Sequence, residues 1–153
     1  MSVSDYTPTV QDIAALLRAR TRTTNGDLLR DFTDETEPTG EDVQGLIETA
    51  LDDLSGQIGA NIPVEFQATA KVLVTYLAAA NVELSYWPTQ AAATNSMYDK
   101  LMARYNTRLT QLMEDMGDIV TDGAVVDSGV SDSDWNIVGG GYPQPYWWDY
   151  AKW

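Results

Sequence analysis

PVEFQATAKVLVTYLAAANVELSY, running from Pro63 to Tyr86, is the stretch whose reading decides the fold. Of the 21 residues from Val64 to Leu84, 14 are apolar, and only Glu65, Lys71 and Glu83 carry charge. Phe66, Ala70, Leu73, Leu77, Ala80 and Leu84 follow alternating steps of four and three, which places them on one face of an α-helix. Val72, Tyr76 and Ala79 widen that face and leave a thin polar line through Gln67, Lys71 and Thr75, so neighbours should cover the helix on most sides. Pro63 suits the first turn, and Pro88 ends the run because the residue before a proline is pushed out of the α region. Ala78-Ala79-Ala80 leaves room for a second helix to come close. At 1.5 Å per residue the rod is about 35 Å long, enough to cross a small domain. Lys71 and the polar residues around it argue against a membrane span. The stretch reads as the central helix of a bundle.

The segments on either side supply its partners. Thr7-Pro8-Thr9 opens a first helix, with Thr7 or Thr9 as cap and Val10, Ile13, Ala14, Leu16 and Leu17 as its apolar stripe. Arg18, Arg20 and Arg22 gather at its end, where cations complement a helix terminus. Their bland reading is helix termination and solubility, and their functional one is a surface for an acidic partner. Asn25-Gly26 signals a small hairpin or ordered loop, from which Leu28, Leu29 and Phe32 could return toward the core. Asp31 to Glu37 is an acidic connector without the ligand spacing of a metal site.

A second helix begins at Pro38-Thr39-Gly40, with Thr39 as cap and Asp42 completing a capping box. Val43, Leu46, Ile47, Ala50, Leu51, Leu54 and Ile58 form its stripe, and Glu41, Glu48, Asp52 and Asp53 an acidic face turned to solvent or to a channel. Beyond the corner Tyr86-Trp87-Pro88-Thr89-Gln90, a further helix is expected from between Ala91 and Thr94 to Met116, with Gly117 as its stop. Met97, Leu101, Tyr105, Leu109, Leu112 and Met116 mark its buried side, with Arg104 and Arg108 beside them. The expected fold is all-α, a small bundle of about four helices over residues 1–117.

Residues 118–153 read as a different unit, an extended arm. Five aspartates and two glycines fill 118–134, a composition that cannot build a packed face. Four of the five tryptophans then crowd into the last 19 residues. Gly139-Gly140-Gly141 and Pro143-Gln144-Pro145 forbid a long helix there. Nor does the glycine run resemble a phosphate-binding loop, since no Lys-Ser/Thr follows it. Trp135, Tyr142, Pro143, Pro145, Tyr146, Trp147, Trp148, Tyr150 and Trp153 have the composition of interface anchors. A bundle that already has its core leaves them free to dock on another molecule.

Composition narrows the chemistry. Nine basic against 23 acidic residues give a formal charge of −14 over 153 residues, a balance that repels a nucleic-acid backbone. There is no histidine and no cysteine, which removes the commonest general base, the commonest zinc ligand and all thiolate chemistry. Adjacent carboxylates such as Asp52 and Asp53 diverge by about 100° on a helix and cannot face one substrate. No cofactor and no enzymatic activity are expected. The amino terminus shows no basic region followed by an apolar run, which predicts synthesis in a cytoplasm.

Three blocks carry a family resemblance. Tyr6-Thr7-Pro8-Thr9-Val10 with Ile13 to Thr21 resembles the start of head-to-tail adaptor proteins of tailed phages of actinobacteria. Phe32-Thr33 through Pro38-Thr39-Gly40, followed by Val43 and Ile47, continues the likeness. So does Ser85-Tyr86-Trp87-Pro88, leading to Tyr98, Leu101, Arg104 and Tyr105. The likeness covers roughly residues 6–116 and does not extend to Asp118–Trp153. It implies a virion protein at the head–tail interface, forming a homo-oligomeric ring, commonly of twelve copies, beneath the portal. It also implies a carboxy-terminal extension clasping the portal protein, a body receiving the next tail-side component, and DNA passing through without specific binding during packaging and ejection. The resemblance transfers no catalytic residue. A rival from another class is a monomeric acidic binding module that mimics nucleic acid or inhibits a protein that binds it.

Overall fold

The computed structural model describes residues 6–123. Contacts divide the chain after Asp118, and the fold is that of the first unit, Met1–Asp118. Five helices follow in order: α1 Val10–Leu16, α2 Gly40–Ile58, α3 Gln67–Tyr86, α4 Pro88–Ala91 and α5 Met97–Gly123. Short 3-10 turns, Arg18–Arg20 and Val64–Phe66, follow α1 and precede α3. Among the described residues there is no strand, and the expected all-α small bundle is what the chain forms.

Three helices start on the same device, α5 through Ser96 and Asp99 with bonds of 3.2 and 3.0 Å. The Thr9 backbone N–H donates to Asp12 Oδ2 at 2.8 Å while the Asp12 N–H donates to Thr9 Oγ1 at 3.3 Å. Thr39 and Asp42 repeat the exchange at 3.0 and 3.2 Å, and the Thr39 hydroxyl also donates to the carboxylate at 2.7 Å. Each cap satisfies N–H groups that have no partner inside the helix and is worth about 1 kcal/mol.

The core lies between α2 and α3, the pair of elements with the most extensive close approach. Ala50 of α2 and Ala70, Ala78, Ala79 and Ala80 of α3 are fully buried. Small side chains let two backbones come near, and Ile47, Leu54, Leu73 and Val74 fill the space beside them. From α1, Ile13 and Ala14 cover one side. From α5, Leu101, Tyr105 and Leu112 are buried, with Leu109 and Met116 partly so.

Some expectations are narrowed and others corrected. Of the two forms expected around Asn25-Gly26, the chain takes the ordered loop, a turn with Gly26 at φ 93° and no strand ladder. Only single bridges, Arg22 with Leu28 and Thr23 with Thr36, hold the loop. Threonines replace a ladder: the buried Thr36 hydroxyl donates to Pro38 O at 2.7 Å and accepts the Thr33 N–H at 2.9 Å. Phe32 returns to the core at 5% exposure, whereas Leu28 and Leu29 stay outside.

The other corrections concern helix ends. Pro88 ends α3 and at the same time starts α4, where a first-turn proline loses no hydrogen bond. The last long helix begins later than expected, at Met97, and continues through Gly117 and Asp118 to Gly123. A glycine inside a helix costs about 1 kcal/mol, but it ends a helix only where a left-handed cap is formed. The expected arm therefore starts within a helix. Leu84, placed on the core face by its spacing, is 48% exposed, because the buried side of α3 turns to Val82 and Glu83 at that end.

Candidate functional site

Charge comes together where α3 ends. Glu83 is 2% exposed on a helix that is otherwise apolar on its inner sides. Arg20, from the 3-10 turn after α1, donates through Nε to Glu83 Oε1 at 2.7 Å and through Nη2 to Oε2 at 2.8 Å. The same Nη2 reaches Gln90 Oε1 of α4 at 2.7 Å. The guanidinium carbon lies 4.3 Å from the centroid of the Trp87 ring. A planar, delocalised cation suits this place, since it can pair in parallel with a carboxylate and stack on an indole at once. One side chain thus ties three elements to the corner.

Beside it, Tyr86 and Trp87 pack with ring centroids 6.0 Å apart. Burial raises the Tyr86 phenol, and the nearby Asp42 carboxylate raises it further. Asp42 is held below its ordinary value, first by the Thr39 hydroxyl, then by the Thr39 N–H and by Tyr86. A second tie joins α1 to α3, where Lys71 Nζ sits 3.2 Å from Asp12 Oδ2. The Thr9 N–H does most to lower the Asp12 carboxyl, and Lys71 adds to it. A third joins α2 to α5: Gln57 Nε2 donates to the Tyr105 hydroxyl at 3.1 Å. Burial raises the Tyr105 phenol, and the negative charge of Asp53 raises it too.

Glu41, Glu48, Asp52 and Asp53 are all exposed on α2, and the charge of Asp53 is near enough to Tyr105 of α5 to raise its phenol. The three arginines after α1 part company. Arg18 is exposed, Arg22 Nη1 donates to Gly26 O at 3.0 Å, and Arg20 turns inward to the corner. Neither helix termination nor a partner surface describes Arg20. The spacing of apolar residues missed the pair, although one signal was present: Glu83 sits between Val82 and Leu84, with Ala79 and Ala80 on the turn before it. A carboxylate there calls for an internal cation.

No group of three or more acidic side chains converges as a metal site among the described residues. No helix in them is long and apolar enough to cross a membrane. The hydroxyl of Tyr6, a residue 2% exposed, is buried without a hydrogen-bond partner among them. The proposed docking residues Trp135, Tyr142, Pro143, Pro145, Tyr146, Trp147, Trp148, Tyr150 and Trp153 lie outside the described residues. The chain matches no known protein family, and neither a characterised protein nor a solved structure proves similar to it.

Proposed function

We propose that this chain is a structural virion protein, a head-to-tail adaptor that forms a ring under the portal and joins the capsid vertex to the tail. What supports the reading is how the resembling blocks sit in the fold. Arg20 of the first block touches Trp87 of the third, 67 positions on, through the guanidinium–indole stack. Within the second block, a Cβ on Gly40 would stand 3.0 Å from the carbonyl oxygen of Phe32, so the block is folded on itself. Tyr6 and Pro8 of the first block and Phe32 and Pro38 of the second are buried. The first and third blocks thus meet at the corner, and the second is folded on itself with Phe32 and Pro38 buried.

Charge and composition fit the role. A formal charge of −14 lets a polyanion pass a ring without adhering, since like charges repel over a Debye length of about 10 Å. The aromatic residues from Trp135 to Trp153 would anchor the ring on the portal protein, and the helical body would receive the next tail-side component. The role needs no cofactor and no catalysis. DNA would pass without specific contacts. The acidic line of Glu41, Glu48 and Asp52 also favours a second reading, a monomeric acidic module that competes with nucleic acid for a basic protein.

The test is to mix the full chain with the portal ring encoded in the same genome and to separate the assemblies by size. Comigration with the portal in a fixed ratio supports the adaptor. Failure to join it, together with displacement of DNA from a basic protein, would favour the second reading.

A further inference from the structure

In a chain with 23 acidic and nine basic residues, three of the nine stand in one line on α5. Lys100, Arg104 and Arg108 follow each other at steps of four, and all are exposed. None has an ion-pair partner among the described residues, where the pairs are Arg20 with Glu83 and Lys71 with Asp12. Ala103 and Thr107 run beside Arg104 and Arg108, exposed on the same stretch of helix surface. The cations thus flank a surface of small side chains on which another helix could lie closely.

The outward side of α2 is its complement. Glu41, Glu48 and Asp52 project there, likewise without an ion-pair partner among the described residues. By helical position, Gly45 and Gly56 lie on the same side. Glycine inside a helix is less stable than alanine and needs a reason. For Gly40 the reason is internal, since a Cβ would meet Phe32 O at 3.0 Å. Around Gly45 and Gly56 nothing lies within 4 Å of a Cβ position. Nothing within the described fold calls for glycine there, whereas a helix arriving from outside would. At 1.5 Å per residue, Lys100 to Arg108 spans about 12 Å and Glu41 to Asp52 about 16 Å, so one line fits along the other.

We infer that the Lys100–Arg104–Arg108 edge of α5 in one copy docks on the Glu41–Glu48–Asp52 face of α2 in the next. The two surfaces are different patches of the same chain, so the contact is head-to-tail, the kind that closes into a ring when the rotation allows. The contact stands on the two helix faces, and only closure into a ring rests on the adaptor reading. It also moves Glu41, Glu48 and Asp52 from a channel wall to the junction between copies.

The test uses the full chain at about 0.15 M salt, where the repulsion between copies of like net charge is damped beyond about 8 Å. Self-association is measured by sedimentation for the wild type, for R104E/R108E and for E48R/D52R. R18E/R30E serves as a control that changes net charge as R104E/R108E does, at exposed arginines outside α5. Circular dichroism checks that each variant is folded. Expected are association of the wild type, about tenfold weaker association of each double variant alone, and recovery when the two are mixed. The control should keep its association to within a few-fold. A wild type that stays monomeric, or reversals that change nothing, would overturn the inference. Weakening by the α5 variant alone would overturn it too, since another acidic segment would then be the partner. So would a mixture that fails to recover, or binding of single-stranded DNA that depends on Arg104 and Arg108. A chain that fails here but joins the portal ring leaves the adaptor reading standing without this interface.

Discussion

Arg20 and Glu83, 63 positions apart in the chain, meet in two parallel hydrogen bonds of 2.7 and 2.8 Å. The carboxylate is nearly free of solvent and the arginine is 22% exposed on its outer side. Removing one partner leaves the other charge without its counterion, and that asymmetry dominates the cost. Glu83→Ala should cost about 3 kcal/mol, the low end for a buried pair because water still reaches the arginine. Arg20→Lys keeps the charge but loses the paired bonds and the stack, and should cost about half as much. Arg20→Met with Glu83→Leu should recover most of the loss. Urea denaturation followed by circular dichroism reads all three.

Acid should weaken the fold through the capping carboxylates of α1 and α2. Asp12 and Asp42 are both held below the ordinary value of 3.8 in the folded chain. A depressed carboxylate stabilises the fold fully above its unfolded pKa and loses that contribution as pH falls through its folded one. Stability should therefore decline from just above pH 3.8 downward. In Asp12→Asn and Asp42→Asn that decline should be shallower, as denaturation midpoints across the acid range would reveal. At the alkaline end the sign reverses. Tyr86 and Tyr105 are raised above 10.0, so their contribution is complete below that value and disappears as pH rises through the folded pKa. Tyr105→Phe should flatten the alkaline limb.

What the local pattern made legible was the bundle itself. The four-and-three spacing of Ala70, Leu73, Leu77 and Ala80 locates α3, and Thr39 with Asp42 marks the start of α2 through a cap that acts within three residues. Gly117 misled because a glycine reads as a stop, whereas stopping depends on the backbone conformation at the glycine and on the residues after it. Asn25-Gly26 located the turn and left hairpin or loop open, since strand pairing depends on Leu28 and Leu29 finding a face to cover. The Arg20–Glu83 pair leaves no periodic trace at all: its partners lie on different elements, and only the isolated acid among apolar neighbours hints at it. The candidate acidic face was legible in full, since Glu41, Glu48, Asp52 and Asp53 are all exposed on α2.

Gly45 separates stability of the single chain from assembly. With nothing within 4 Å of its Cβ position, Gly45→Ala should stabilise the isolated chain by about 0.5–1 kcal/mol. If α2 packs closely on a neighbouring copy, the same methyl group should weaken self-association. A denaturation curve and a sedimentation run on one preparation measure both effects.

The aromatic segment should matter for docking and not for the bundle. Deleting residues 135–153 should leave the thermal unfolding of the helical body within a few degrees of the full chain. The truncated chain should no longer comigrate with the portal ring. Retained comigration would take the docking role away from Trp147, Trp148 and their neighbours.

The most direct measurement of the adaptor account is native mass, taken on the full chain alone and again after addition of the portal ring encoded in the same genome. An adaptor gives a complex in which many copies of this chain, twelve if the portal sets the number, add to one portal ring. A chain whose mass is unchanged by the portal would contradict the adaptor account.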